Sequence, residues 1–116
     1  MTQMLTVKQL LALLQSLKNS LLELGDNSGI TAPIALLHLR HHDACGMTEL
    51  SRVTSSSTAS STGIVDRLVR LGLVRRVNSA HDRRAVYAML SDKGMAFVDS
   101  MMDKMILHSK DDHGHS

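Results

Sequence analysis

Residues 57–90 of the chain read STASSTGIVDRLVRLGLVRRVNSAHDRRAVYAML. The first half of this stretch carries one apolar helix face, formed by Ile64, Val65, Leu68 and Leu71. Gly72 follows that face, at a position where a glycine in the left-handed conformation commonly ends a helix. The pattern therefore predicts a helix over residues 57–72.

Two short runs rich in Val, Leu and Tyr follow this helix, at residues 73–77 and 85–90. Residues 78–84 between them are polar and suit the turn of a long β-hairpin. A helix that leads directly into a hairpin with a basic tip is the layout of a winged helix-turn-helix. In that layout the helix lies in the DNA major groove, and the hairpin, or wing, reaches the neighbouring backbone or minor groove.

Positive charge is concentrated in the same region. Seven of the eight arginines lie between residues 52 and 84, although the whole chain has a formal net charge of only +2. Over residues 66–84, six arginines against two aspartates give a local charge of +4. Such an arginine-rich surface suits phosphate and groove contacts. One Tyr, one Phe and no Trp argue against a stacking platform for single strands.

Length, composition and the lack of catalytic motifs argue against several other classes of protein. A chain of 116 residues with 21% charged and 43% hydrophobic residues is typical of one globular domain. The single cysteine cannot form an internal disulfide, and no signal peptide or membrane span is visible, so we expect a cytoplasmic protein. No P-loop, dinucleotide-binding motif, nucleophile–base pair or pair of catalytic carboxylates is present, so neither an enzyme nor a cofactor is expected.

Two flanking helices are expected to form a homodimer. Residues 6–24, with Thr6 as the N-cap, and residues 92–108, capped by Ser91, each carry a heptad-like apolar seam. Further apolar residues beside each seam exceed what packing within one chain explains. The predicted interface consists of Val7, Leu10, Leu14, Leu17, Leu21, Met95, Val98, Met102 and Met105. Residues 109–116 are polar and are predicted to fray.

Three shorter elements are predicted between the first helix and residue 57. Thr31 is the predicted N-cap of a helix that ends near Asp43, with Pro33 in its first turn. Residues 45–47 are expected to pair as a minor strand beside the wing, and residues 48–54 to form a short helix. The run TSSSTASST at residues 54–62 permits a flexible linker as the alternative. The apolar face that starts at Ile64 favours the front of a helix.

Residues 48–94 resemble the DNA-binding core of the MarR family of bacterial transcriptional regulators. The matching segments are MTELSRVT (47–54), IVDRLVRLGLVRRV (64–77) and HDRRAVYAMLSDKG (81–94). The resemblance implies a mainly α fold with a small β-hairpin wing (α+β), in a single domain over residues 1–116. A winged helix-turn-helix core at residues 31–90 would lie between dimerisation helices at 6–24 and 92–108.

The resemblance also implies partners. Members of the family are homodimers that bind palindromic operators in double-stranded DNA, usually as repressors. Many release DNA when a small ligand, oxidant or metal binds, which makes a small-molecule effector a candidate partner. Two positions differ from the family pattern: Ser61 stands where a buried aliphatic residue is usual, and Gly63 where an arginine is frequent. The side chains at the N-terminal end of the recognition helix are therefore unusually small, and most of them carry a hydroxyl group.

The front of the recognition helix is predicted to contact DNA, because hydroxyl groups can bond to phosphates or to either base edge. The predicted contacts are Ser57, Thr58, Ser60, Thr62 and Gly63. Simple helix capping is the alternative interpretation of the hydroxyl groups. Ser61 faces the core by its spacing.

Arginines supply the remaining predicted contacts. Arg67 is predicted to reach DNA. Arg75 and Arg76 point to opposite faces of a strand, so they cannot both face DNA in the same way. For these two, a solvated surface charge is the alternative to DNA contact. By resemblance to the family's wing pattern, Arg84 is the minor-groove arginine and Asp82 steadies it. Arg83 would contact phosphate or brace the wing against Asp66.

Histidines and the cysteine offer weaker signals. His38, His41 and His42 have a spacing that can hold a metal from one helix face, and His108, His113 and His115 could add ligands. No carboxylate or thiol clearly completes the set, so solvent-exposed or interface histidines are favoured and no metal site is predicted. Cys45 is interpreted as a structural thiol, with a redox sensor as the alternative.

Two functions of different classes remain. The first is a homodimeric, sequence-specific DNA-binding transcriptional regulator, expected to be a repressor. The alternative is a winged-helix module for protein–protein contact with weak or no specific DNA binding. It is motivated by the small residues of the recognition helix and by a C-terminal region shorter than is common in the family. Steep salt dependence and preference for a palindrome would distinguish the first from the second.

Overall fold

The computed structural model describes residues 5–82 and 85–114, with side chains as far as residue 105. Its elements, in chain order, are α1 (Val7–Glu23), α2 (Thr31–His41), β1 (Cys45–Gly46), α3 (Met47–Val53), α4 (Thr58–Arg70), β2 (Val74–Asn78), β3 (Val86–Leu90) and α5 (Asp92–Gly114). The expected fold class, mainly α with a small β wing, is confirmed.

The three strands form one antiparallel sheet in the order β1-β3-β2. The wing hairpin pairs Val74 of β2 with Leu90 of β3, and the predicted minor strand pairs along the other edge of β3, with Cys45 opposite Ala88. Leu73 and Val74 are buried at the base of the wing, while Arg75 is exposed. The base of the wing is therefore packed into the helical core, while the strands extend away from it.

Helix α1 begins as the sequence predicts. The Thr6 side chain accepts a hydrogen bond from the Gln9 backbone N–H at 3.1 Å, and the Gln9 side chain accepts one from the Thr6 N–H at 2.8 Å. This capping box satisfies two backbone donors that a helix start leaves without partners.

Helix α2 differs from its prediction at both ends. Thr31 is already helical, because the Ile34 N–H bonds to the Ile30 carbonyl at 3.1 Å, so the N-cap is Ile30 and no side chain caps the helix. The helix ends at His41, since the backbone of His42 is extended. Pro33 lies in the first turn, where its missing N–H costs no helical bond.

The serine-rich run is not a linker. Ser57 is the N-cap of α4, and its hydroxyl accepts a hydrogen bond from the Ser60 N–H at 3.0 Å. Gly72 has φ of 78°, the left-handed conformation predicted at the end of this helix. The front of α4 is thus helical from Thr58 despite its weak helix formers.

The core collects one apolar face from each of several elements. Leu36 of α2, Leu50 of α3, Leu68 of α4, Ala88 of β3 and Val98 of α5 are all completely buried in one cluster. Burial of a leucine side chain contributes about 1.5–3 kcal/mol relative to an exposed one. This cluster holds α4 and the wing in a fixed relation.

Helix α5 is capped as predicted but is longer. The Ser91 hydroxyl accepts from the Gly94 N–H at 3.0 Å. The helix continues beyond His108 to Gly114, so the prediction of a frayed tail from residue 109 was wrong over the described residues. After Gly94, in the first turn, no Pro or Gly occurs before Gly114 to end the helix. No helix in the described part of the chain has the length and hydropathy to span a membrane.

Candidate nucleic-acid interface

The front of α4 presents a surface of small hydroxylic side chains. Ser57, Thr58 and Ser60 are exposed, and Thr62 and Gly63 are half-buried. The Thr62 hydroxyl donates to the Thr58 carbonyl at 2.9 Å, and the Ser57 hydroxyl donates to Ser60 at 3.1 Å. The hydroxyl groups therefore also serve the helix itself, as the capping alternative suggests, while their outer sides face solvent.

A partly buried chain of hydroxyl groups connects α4 to α3. Thr54 donates to the Leu50 carbonyl at 2.8 Å and lies 2.7 Å from the Ser56 hydroxyl, which lies 3.0 Å from that of Ser61. Ser61 is only 1% exposed, as its helix spacing predicts. The sequence gives no sign of this chain, because it depends on the geometry of the turn between the two helices. Three polar side chains thus replace the apolar contact expected at Ser61.

Gly63 lies beside open space. A Cβ atom built there would meet no atom of the chain within 4 Å. Its missing side chain is therefore not required by packing within the protein. A surface that approaches α4 can come closer to the backbone at Gly63 than at any residue with a side chain.

Arg67 has partners inside the chain. Its Nε donates to the Ser28 hydroxyl at 3.1 Å and lies 3.4 Å from Oδ1 of Asp26, whose side chain is only 3% exposed. Ser28 also donates to that carboxylate at 2.7 Å. Arg67 therefore ties α4 to the loop between α1 and α2. About half of its side chain is exposed, so the predicted DNA contact stays a prediction for its outer atoms.

The wing arginines follow opposite faces of β2, as predicted. Arg76 forms an ion pair with Asp66 of α4 and so braces the wing against the recognition helix. Arg75 is exposed and lies 3.5 Å from the Met89 sulfur. Arg83, the predicted partner of Asp66, lies outside the described residues, so that brace stays a prediction.

The described part of the wing tip is a tight turn. The Ser79 hydroxyl accepts from the N–H groups of His81 and Asp82 at 3.2 and 3.3 Å, and the Ser79 N–H donates to the Ala85 carbonyl at 3.0 Å. Asp82 is exposed. Arg83 and Arg84, the predicted phosphate and minor-groove contacts, lie outside the described residues.

A second cluster lies between α2, β1 and α3. His38 Nε2 is 2.9 Å from Glu49 Oε2, and the Cys45 thiol donates to the same oxygen at 3.1 Å. Burial first, then the hydrogen bond to Glu49 and its charge, raise the pKa of the Cys45 thiol to about 12, against a smaller lowering by Arg52. The hydrogen bonds from His38 and Cys45 lower the pKa of Glu49. Cys45 is therefore a buried, protonated thiol, in agreement with its structural interpretation.

The predicted histidine face is not one ligand set. His41 Nδ1 lies 2.8 Å from the Leu37 carbonyl, a bond within its own helix, while His38 points to Cys45 and Glu49 and stacks on His42 with ring centroids 4.2 Å apart. A thiol and a carboxylate do lie beside His38, contrary to the sequence reading. Sequence spacing missed them because they come from two later elements. The side chain of His108 lies outside the described part.

The predicted dimer seam divides into two groups. Leu17, Leu21 and Val98 are at most 1% exposed within one chain, so they have no surface to offer a second chain, and their assignment to the interface was wrong. The heptad-like spacing of these three residues instead marks the faces with which α1 and α5 pack within one chain. Val7, Leu10 and Met95 are exposed, at 76%, 41% and 38%, and Leu14, Met102 and Met105 are half-buried.

Helices α3 and α4 form a helix-turn-helix, and the hairpin of β2 and β3 follows it. With the front of α4 exposed, this arrangement defines a winged helix-turn-helix protein. A MarR family model matches residues 21–85 of the chain, more than half of its length. The chain therefore belongs to the MarR family, and the resemblance noted in the sequence is confirmed.

Relatives of this chain carry names of transcriptional regulators. The HTH-type transcriptional repressor NicR of Pseudomonas putida is 35% identical over 60% of this chain and 44% of its own length. The transcriptional repressor MprA of Escherichia coli is 28% identical over 78% of this chain and 51% of its own. The chain spans about half the length of the curated relatives that it matches.

Solved structures share the fold. The transcriptional regulator Tm0710 from Thermotoga maritima aligns over 93% of this chain and 75% of its own, with a TM-score of 0.76 at 18% identity. A mutant MarR from E. coli complexed with operator DNA aligns over 84% of this chain and 71% of its own, with a TM-score of 0.62 at 25% identity.

Proposed function

We propose that the chain is a homodimeric, sequence-specific, double-stranded-DNA-binding transcriptional regulator that acts as a repressor in the cytoplasm. In this proposal α4 lies in the major groove and the wing tip, residues 78–84, reaches the minor groove of a palindromic operator. A small-molecule effector stays a candidate partner.

One observation carries the proposal: the exposed front of α4. Ser57, Thr58 and Ser60 project from a helix that α3 and the wing hold in place, with open space beside Gly63. Helix N-termini and hydroxyl groups are suited to phosphates and base edges. The relatives named as repressors and the operator complex of E. coli MarR support the assignment.

A substitution of Thr58 separates DNA binding from folding. Thr58→Glu places a negative charge in the first turn of α4, which should stabilise the helix by about 0.3–1 kcal/mol. The same charge would repel phosphate, so we expect at least tenfold weaker DNA binding. Ser100→Glu is the matched control, because it adds the same charge at an exposed position of α5.

The measurement is a fluorescence-anisotropy titration at two salt concentrations, first with DNA upstream of the chain's own gene and then with motifs selected from a random pool. We expect affinity that falls steeply with salt, prefers a palindrome, and weakens in Thr58→Glu and Arg84→Ala but not in Ser100→Glu. Failure of the selection to return any motif would favour the protein-contact module instead.

A further inference from the structure

We propose that His38, Cys45 and Glu49 form a binding site for a thiophilic divalent cation of the Zn²⁺ type. One ligand atom from each residue lies within 4.8 Å of the other two. Among the described residues, this is the group of histidine, cysteine and acidic side chains that is close enough to share a metal ion. The proposal does not depend on DNA binding.

The donor set fits this class of cation. Imidazole nitrogen, thiolate sulfur and carboxylate oxygen are the three ligand types of protein zinc sites, whereas Mg²⁺ and Ca²⁺ prefer oxygen alone. Three protein ligands leave a fourth tetrahedral position, which a water molecule can fill. The chemistry of the set therefore selects against the hard cations.

Two of the three distances between ligand atoms require a small expansion, and those of His38 and Cys45 lie within 4.8 Å of each other. Zinc–ligand bonds of about 2.0–2.3 Å imply ligand atoms roughly 3.3–3.6 Å apart in a tetrahedron. Glu49 Oε2 now lies 2.9 Å from His38 Nε2 and 3.1 Å from Cys45 Sγ, since a hydrogen atom bridges each pair. The cation would take the place of those hydrogens. The thiol proton would leave to solvent as the sulfur–metal bond forms, and the imidazole would lose its Nε2 proton to solvent and carry its remaining proton on Nδ1.

Access is open from one side. The Cys45 residue is 1% exposed, but the side chains of His38 and Glu49 are 16% and 45% exposed. A cation can thus enter past the carboxylate and reach a sulfur that bulk solvent does not. Once bound, it would join α2, β1 and α3 at one point, and β1 is paired to the wing strand β3.

The test is a Co²⁺ titration of the full chain after removal of metal with a chelator. Cys45 is the only cysteine of the chain, so a thiolate-to-cobalt charge-transfer band can arise only from it. His113→Gln and His115→Gln are introduced into all samples, to remove terminal histidines as competing ligands. We expect one Co²⁺ per chain with that band and the visible bands of tetrahedral cobalt, and displacement of both by Zn²⁺.

Variants assign the ligands. We expect Cys45→Ser to abolish the charge-transfer band, and His38→Gln and Glu49→Gln to weaken affinity at least tenfold. His41→Gln, a histidine of the same helix outside the cluster, should bind as the parent does. Cobalt bound without a thiolate band, or with equal affinity in His38→Gln, would overturn the proposal. If a variant fails to fold, thermal unfolding of the parent protein decides, because a cation that binds only the folded chain raises its melting temperature. No rise with Zn²⁺ refutes the site.

Discussion

Gly63 and Gly94 both lie in helices, yet their surroundings differ. A Cβ at Gly63 would meet nothing, whereas a Cβ at Gly94 would collide with the Leu73 carbonyl. We therefore expect Gly63→Ala to raise the free energy of unfolding by about 0.8–1 kcal/mol, the usual gain in helix propensity. Gly94→Ala should lower it by about 1–3 kcal/mol, because the start of α5 would have to move from the wing base.

Urea unfolding of both variants provides the measurement, and DNA titration adds a second readout. If α4 approaches DNA at Gly63, the stabilised Gly63→Ala protein should bind DNA more weakly. Loss of stability in that variant would show that the space beside Gly63 is filled in solution.

The Cys45 thiol makes stability depend on alkaline pH. Its pKa is raised from an ordinary 9.0 to about 12, chiefly by burial. The unfolded chain therefore releases the thiol proton near pH 9 while the folded chain keeps it, and this contribution to stability is lost between pH 9 and 12. We expect the free energy of unfolding of metal-free protein to fall more steeply over that range than in Cys45→Ala. Equal slopes in the two proteins would contradict the burial of the thiol.

Single residues show what the sequence could and could not supply. Helix spacing placed Ser61 in the core and Gly72 at a helix end, because both depend on neighbours along the chain. Arg67 was assigned to DNA alone, but its Nε faces a buried aspartate 41 positions earlier in the chain. Contacts between distant segments carry no local pattern, so the sequence could not predict them.

At the scale of elements, the hydroxyl chain between α3 and α4 is the least expected feature. Ser56 connects Thr54 to Ser61, so Ser56→Ala would leave the buried Ser61 hydroxyl without its present partner. We expect a loss of about 1–3 kcal/mol in the free energy of unfolding. Ser60→Ala, at an exposed serine of the same run, should change it by less than about 0.5 kcal/mol.

A double variant tests whether the cause is the orphaned hydroxyl. Ser56→Ala with Ser61→Ala removes both partners and should be less destabilised than Ser56→Ala alone. Additive losses in denaturant unfolding would instead mean that the two hydroxyl groups act independently. The distinction matters for function, since this contact joins the turn to the front of α4.

For the whole molecule, the order of elements could be predicted because each element has its own hydrophobic periodicity and its own capping or turn residues at its ends. The hairpin, the minor strand and the caps at Thr6 and Ser91 all follow from local residue types. The partner of each apolar face could not be predicted in this way. A heptad-like seam looks the same whether it packs on a helix of its own chain or on a second chain, and Leu17 was misassigned for that reason.

The exposed part of that seam supports the proposed dimer and allows it to be tested. Val7 and Leu10 lie at the start of α1 with 76% and 41% of their surface exposed. Each substitution in a symmetric dimer acts twice, so loss of one buried side chain per subunit should cost about 3 kcal/mol, roughly a hundredfold in dimer dissociation. We therefore expect Leu10→Glu to shift the chain toward monomer in sedimentation equilibrium. Gln15→Glu, which adds the same charge at an exposed polar position of α1, should leave the mass unchanged. A monomeric parent protein, or equal dissociation caused by Gln15→Glu, would refute this interface.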